Sequence, residues 1–142
     1  MIVMESQELA NKIDFSSKSE NISLVEKMID NVCDENNVHE DYYGNILIAL
    51  TEAVNNAIQH GNKQDPSKSI TVSFGTKKDL LMFTVKDEGE GFDFENLPDP
   101  TDPENLEKPH GRGVFLMRNL ADEVNFHDNG RVVELNFNLN PN

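Results

Sequence analysis

The sequence predicts an α+β domain of two layers, a sandwich in which about three helices pack on a mixed, mostly antiparallel sheet. Three observations predict it. One apolar stripe recurs at helical spacing from Tyr43 to Ile58. Two pairs of runs alternate at period two, one pair around Lys77-Lys78-Asp79 and one around Asp128-Asn129-Gly130. Helical segments and strand pairs are segregated, without the strict alternation that builds a parallel sheet.

In chain order, residues 9–15 alternate loosely and read as a first strand. Ile22, Val25, Met28, Ile29, Val32 and Cys33 then recur at helical spacing. Ser23 and Glu26 are a candidate capping box, unless Ile22 is already helical. The next helix carries Tyr43, Ile46, Leu47, Leu50, Val54, Ala57 and Ile58 on one face. Glu40 and Asp41 follow His39 in its first turn, where the helix dipole favours negative charge. Gly61 stops this helix, and Asp65-Pro66 turns the chain. Ile70, Val72 and Phe74 face Leu81, Phe83 and Val85 across a hairpin. From about residue 93 to 110 the chain is polar, with Pro98, Pro100, Pro103 and Pro109 and six acids. A loop this long inside a compact domain is usually functional. A short helix is expected to begin near Gly113. Val124 and Phe126 lead into Asp128-Asn129-Gly130, a type I′ hairpin signal, and Val133, Leu135 and Phe137 return.

The 142 residues suit one domain spanning 1–142. A hydrophobic fraction of 37% is too high for a disordered chain. No apolar run approaches the ~20 residues that span a bilayer, and the N-terminus lacks a secretory signal's basic and apolar regions. Cys33 is the only cysteine, so neither an internal disulfide nor a cysteine metal cluster can form. These features predict a cytoplasmic protein with no membrane partner. The formal charge of −14, from 12 basic and 26 acidic residues, argues against nucleic acid. It serves solubility, or it faces a basic protein partner.

Three constellations carry chemistry. Glu52, Asn56 and His60 stand at i, i+4 and i+8, and each step of four turns the helix face by only ~40°. They share a polar stripe with Gln59, and Asn55-Asn56 sacrifices helix propensity that Lys or Glu would keep. Asp87 continues the period-two series Leu81, Phe83 and Val85, so its carboxylate points to the buried face. A buried carboxylate needs donors, and the amino group of a purine would serve. Gly89 and Gly91 let the backbone turn and approach a flat ring. Gly111, Arg112 and Gly113 precede a helix, where free N–H groups and a guanidinium attract anions. Alone, each constellation also reads as an ordinary solvated face, turn or cap. Neither a Walker A loop nor a Gly-x-Gly-x-x-Gly dinucleotide fingerprint occurs.

Together, and in this order, the three resemble the boxes of the GHKL (Bergerat-fold) ATPases. Glu52-Ala-Val-Asn55-Asn56-Ala-Ile-Gln-His60-Gly61 is similar to their N-box. Asp87-Glu-Gly89-Glu-Gly91-Phe92 resembles their first glycine box, and Gly111-Arg-Gly113-Val-Phe-Leu-Met-Arg their second. The stretch at about 93–112 would be the ATP lid. Within that superfamily the wording is most similar to the small anti-sigma-factor serine/threonine-protein kinases of bacterial partner-switching systems.

The resemblance implies ATP and Mg²⁺ as cofactors. It implies Asn56 as magnesium ligand, Asp87 as acceptor for the adenine amino group, and Gly91 at the border of the base. Gly111 and Gly113 would shape the lid beside the phosphates, and Arg112 would add a charge there. Glu52 would be the catalytic base that accepts a proton from a serine hydroxyl of a protein substrate. His60 would orient the end of the helix. The implied partners are an anti-anti-sigma (STAS-type) substrate, a sigma factor, and a second copy in a homodimer. A non-catalytic ATP-dependent binding protein of the same fold is the alternative. Asp93, Glu95, Asp99, Asp102, Glu104 and Glu107 crowd the lid against Lys108 alone, so binding without magnesium is expected to be weak.

Overall fold

Period-two alternation writes the sheet of this protein, and in its computed structural model residues 12–91 and 109–139 are described. Five strands form one sheet: β1 (Lys12–Ser16), β2 (Ser69–Lys77), β3 (Leu80–Lys86), β4 (Glu123–His127) and β5 (Val132–Asn138). Their spatial order is β1-β2-β3-β5-β4, and every pairing among the described residues is antiparallel. The parallel pair that a mixed sheet would contain is therefore absent among those residues. Three α-helices, α1 (Ile22–Glu35), α2 (Glu40–Asn56) and α3 (Pro109–Leu120), complete the two-layer arrangement.

The inward positions are those the alternation selects. Ile70, Val72 and Phe74 of β2 are buried, as are Leu81, Phe83 and Val85 of β3 and Val133, Leu135 and Phe137 of β5. Phe83 lies at the centre, its ring 5.1 Å from that of Phe74 and 6.1 Å from that of Phe137. Burying a ring of this size contributes roughly 1.5–3 kcal/mol. On the helical side Val25, Ile29, Ile46, Leu50, Val54 and Ile58 are fully enclosed. The opposite face of the sheet is polar: Thr71 Oγ1 donates to Asp14 at 2.5 Å, and Ser73 pairs with Thr84. Helices on one face and hydroxyls on the other are what clean alternation produces.

Several boundaries differ from expectation for local reasons. The first strand is seen over Lys12–Ser16, and the earlier part of its expected span lies outside the described residues. The Ser23/Glu26 capping box does not form, because Ile22 is already helical; Ser23 Oγ instead donates to the Glu20 carbonyl at 3.1 Å. At the start of α2, His39 Nδ1 accepts from the Asp41 N–H at 3.1 Å, so the histidine is the cap. Gly61 does not stop a regular helix. The chain passes from Asn56 into a π turn over Ala57–Gly61, closed by the Asn62 N–H on the Ala57 carbonyl at 2.8 Å. The Asp128-Asn129-Gly130 signal gives a hairpin, but a four-residue one: His127 pairs with Val132. Asp128, Asn129 and Gly130 all take positive φ, at 51°, 57° and 88°.

Candidate active site

One cavity opens where the end of α2 meets the end of β3. Its first wall comes from Ala53, Asn56, Ala57, His60 and Gly61. Its second comes from Val85, Asp87 and Gly91, with Phe126, Gly130, Arg131 and Val133 beside them; Met117 of α3 closes it. The π turn begins directly after Asn56, and Asn56 and His60 both face the same space. Such π turns recur at functional sites. The cavity measures about 30 Å³, room for little more than a water.

Asp87 is 7% exposed, where the alternation of β3 places it. Its Oδ1 accepts the Gly89 N–H at 2.8 Å, and its own N–H donates to the Arg131 carbonyl at 3.0 Å. Burial pushes its carboxyl above the ordinary range; the Gly89 N–H and the Arg131 charge oppose that in part. The other face of the carboxylate lies on Gly61, where a Cβ would stand 2.3 Å from Oδ2. Gly91 adopts φ +86°, and a Cβ there would meet the Asn129 carbonyl at 2.2 Å. Only glycine satisfies both demands at that position.

At the other end, Asn56 Nδ2 is buried and has no hydrogen-bond partner among the described residues. A buried amide left unpaired costs about 1–3 kcal/mol. The first turn of α3 explains its enclosure. That helix begins at Pro109, a turn earlier than expected, and brings Gly113 directly onto α2. A Cβ on Gly113 would stand 2.9 Å from Asn56 Nδ2, 3.1 Å from its Oδ1 and 3.2 Å from Glu52 Oε2. Glu52 and Asn56 thus present a carboxylate and a carboxamide to one spot.

Of the site residues expected from sequence, Asn56, Asp87 and Gly91 line the cavity, together with His60. Burial lowers the His60 pKa below the ordinary imidazole value. Glu52 and Gly113 adjoin it behind Asn56. Gly89 supports Asp87 from behind, with its Cα against the Gly61 carbonyl. Gly111 and Arg112 lie in the first turns of α3; Arg112 is exposed and stands outside the cavity lining. Most of the 93–112 lid stretch lies outside the described residues. Sequence reasoning missed Gly61 as a contact, Met117, Phe126 and Arg131. Gly61 had a signal, since His60-Gly61 closes the first box, but it read as a helix stop. Arg131 followed a hairpin turn and carried no pattern of its own.

No described helix is long and apolar enough to cross a membrane. Residues 15–137 match the family model described as a histidine kinase-like ATPase domain. The serine-protein kinase RsbW of Bacillus cereus is 32% identical over 124 residues, covering 82% of this chain and 77% of that protein. The RsbW proteins of Bacillus thuringiensis and Bacillus mycoides are 31% and 30% identical over the same length. A crystal structure of RsbU and RsbW domains from Mycobacterium tuberculosis superposes with a TM-score of 0.64 at 18% identity. That match covers 90% of this chain and 32% of the other, and it supports the fold. The match over 15–137 and the identity to curated relatives place the chain in the histidine kinase-like ATPase domain family, beside its RsbW serine-protein kinases.

Proposed function

We propose that this protein transfers the γ-phosphoryl group of ATP to a serine of a protein substrate, in the manner of an anti-sigma-factor kinase. The observation that carries the proposal is one cavity joining Asn56, whose Nδ2 is buried without a hydrogen-bond partner among the described residues, to a buried carboxylate, Asp87. The donor chemistry of the two ends differs as a nucleotide requires. Asp87 keeps acceptor capacity beyond its Gly89 bond, which suits the amino group of adenine. Asn56 offers one neutral oxygen, and no group of three His, Cys, Asp or Glu among the described residues is placed to hold a metal. A single amide ligand fits magnesium, which keeps waters and substrate phosphates in its shell. When bound there by Asn56, magnesium would neutralise charge on the phosphates.

The chain's own groups supply the rest. Glu52, one turn before Asn56, accepts the proton of the serine hydroxyl. The serine oxygen forms its bond to the γ-phosphorus as the bond to the bridging oxygen breaks, and ADP leaves. A space of about 30 Å³ is far below the ~300–1,000 Å³ of ligand pockets, so a bound nucleotide must extend beyond the cavity as it stands.

The proposed substrate is an anti-anti-sigma protein of the STAS type, with a sigma factor as second partner, in a cytoplasmic homodimer. The test uses γ-labelled ATP, magnesium and a STAS-type protein. Labelled phosphoserine is expected with the native chain and lost with Glu52→Gln, while ATP binding persists. Full transfer by Glu52→Gln would remove the base assignment. Glu52 stands outside the cavity lining, which favours a second reading, a binder that uses ATP only to order its surface. ATP binding without transfer to any candidate substrate is the result that would establish it.

A further inference from the structure

We propose that Asn62 is a positioning residue that fixes the 87–89 turn and so sets the base selectivity of the site, without touching the nucleotide. The inference rests on the reading of Asp87 as base acceptor. Asn62 follows the π turn directly and is 1% exposed. Its Oδ1 accepts the Glu88 N–H at 2.7 Å. Its Nδ2 donates to Ser17 Oγ at 2.6 Å and to the Ser69 carbonyl at 3.0 Å. The amide orientation is forced, because a backbone N–H cannot accept and a carbonyl cannot donate. One side chain therefore ties the loop after β1, the start of β2 and the turn after β3 to the end of the α2 segment.

The position of the Glu88 N–H matters because Asp87 and Gly89 flank it. Arg131 already holds the far side of the turn: its Nε donates to the Gly89 carbonyl at 2.7 Å. The Arg131 carbonyl receives the Asp87 N–H at 3.0 Å. Glu88 Oε1 in turn accepts the Ser69 N–H at 2.5 Å, so the turn is latched to β2 as well. With Asn62 on the Glu88 N–H and Arg131 on the Gly89 carbonyl and the Asp87 N–H, the 87–89 backbone is restrained at each residue, and this orients the Asp87 carboxylate toward the cavity. Asn62 lies outside the cavity lining, so its effect on a ligand must pass through the turn.

The experiment is calorimetry of the full chain with Mg-ATP and with Mg-ITP, which carries a carbonyl where ATP carries the amino group. The native chain is expected to prefer ATP. Asn62→Ala, by freeing one backbone hydrogen bond, is expected to cut the ATP:ITP preference about fivefold. Ser17→Ala removes a buried bond of the same side chain but leaves the Glu88 contact, so it is expected to lower Tm and leave the preference intact. Asn62→Asp keeps the acceptor for the Glu88 N–H but turns a second acceptor toward the Ser69 carbonyl, so it is expected to keep the preference while lowering Tm. If Asn62→Ala does not fold by circular dichroism, Asn62→Ser, too short to reach Glu88, takes its place. A native preference in the folded Ala or Ser variant would overturn the proposal. So would an equal loss in Ser17→Ala, which would mark a general packing effect. A native chain that binds both nucleotides equally would instead overturn the underlying reading of Asp87.

Discussion

Replacing Asp87 by Asn tests the base end of the site through two opposite consequences. The variant side chain keeps its size, and its Oδ1 can still accept the Gly89 N–H, now made at 2.8 Å. The amide nitrogen then occupies the place of Oδ2, so a donor meets the amino group of adenine. A charge-assisted hydrogen bond is lost, worth roughly 1.5–3 kcal/mol, or about 10–150-fold in Kd for ATP. ITP presents an acceptor at the same atom and should gain relative to ATP. Stability should move the other way. Burial raises the Asp87 carboxyl above its unfolded value. Such a group contributes stability that is fully present below the unfolded pKa and lost as pH rises through the folded pKa. At neutral pH the free chain therefore carries a penalty that Asn removes. Calorimetry should record weakened ATP binding, and thermal unfolding at pH 7.5 should record a higher Tm for the variant. That gain should shrink as pH falls through the acidic range. Unchanged ATP affinity, or a lower Tm at neutral pH, would refute the reasoning.

Other outcomes follow from the same geometry. Glu52→Gln should lower phosphoryl transfer by about 10²–10⁴-fold in a labelled-phosphate assay while the Kd for ATP stays near native. ATP affinity of the native chain should fall when EDTA replaces magnesium, and Asn56→Ala should erase most of that difference by calorimetry. Gly91→Ala forces a side chain into φ +86° and against the Asn129 carbonyl, so urea denaturation should show a loss of at least ~1–2 kcal/mol.

Much of this architecture was legible in the residues. A one-residue slip would turn Ile70, Val72 and Phe74 away from the face that Leu81, Phe83 and Val85 share, and the observed register buries all six. The same logic carried Asp87 inward, since period two continues through Lys86. What local pattern could not express was tertiary. The π turn at Ala57–Gly61 keeps the composition of a helix, and nothing in it announces an i+5 hydrogen bond. Helix α3 starts at Pro109 because proline suits a first turn, although the glycines at 111 and 113 suggested a later start. Gly113 reads as a cap in sequence, whereas its role in the fold is to let α3 touch Asn56 and Glu52. The Asp128-Asn129-Gly130 signal announced the hairpin, but not that its turn would place the Asn129 carbonyl against Gly91, a contact distant in sequence. Asn62 and Arg131 reach the 87–89 turn from different elements, and no spacing rule links them.

The most direct measurement is a nuclear magnetic resonance titration of isotope-labelled protein with ATP and Mn²⁺ in place of Mg²⁺. If one nucleotide spans the cavity, the Asn56 side-chain amide resonances should be broadened beyond detection by the paramagnetic ion. The Gly89 and Gly91 amides, at the base end, should shift at the same ATP concentrations yet stay visible. Perturbation at only one of the two ends, or midpoints that differ between them, would contradict a single nucleotide held by Asn56 and Asp87.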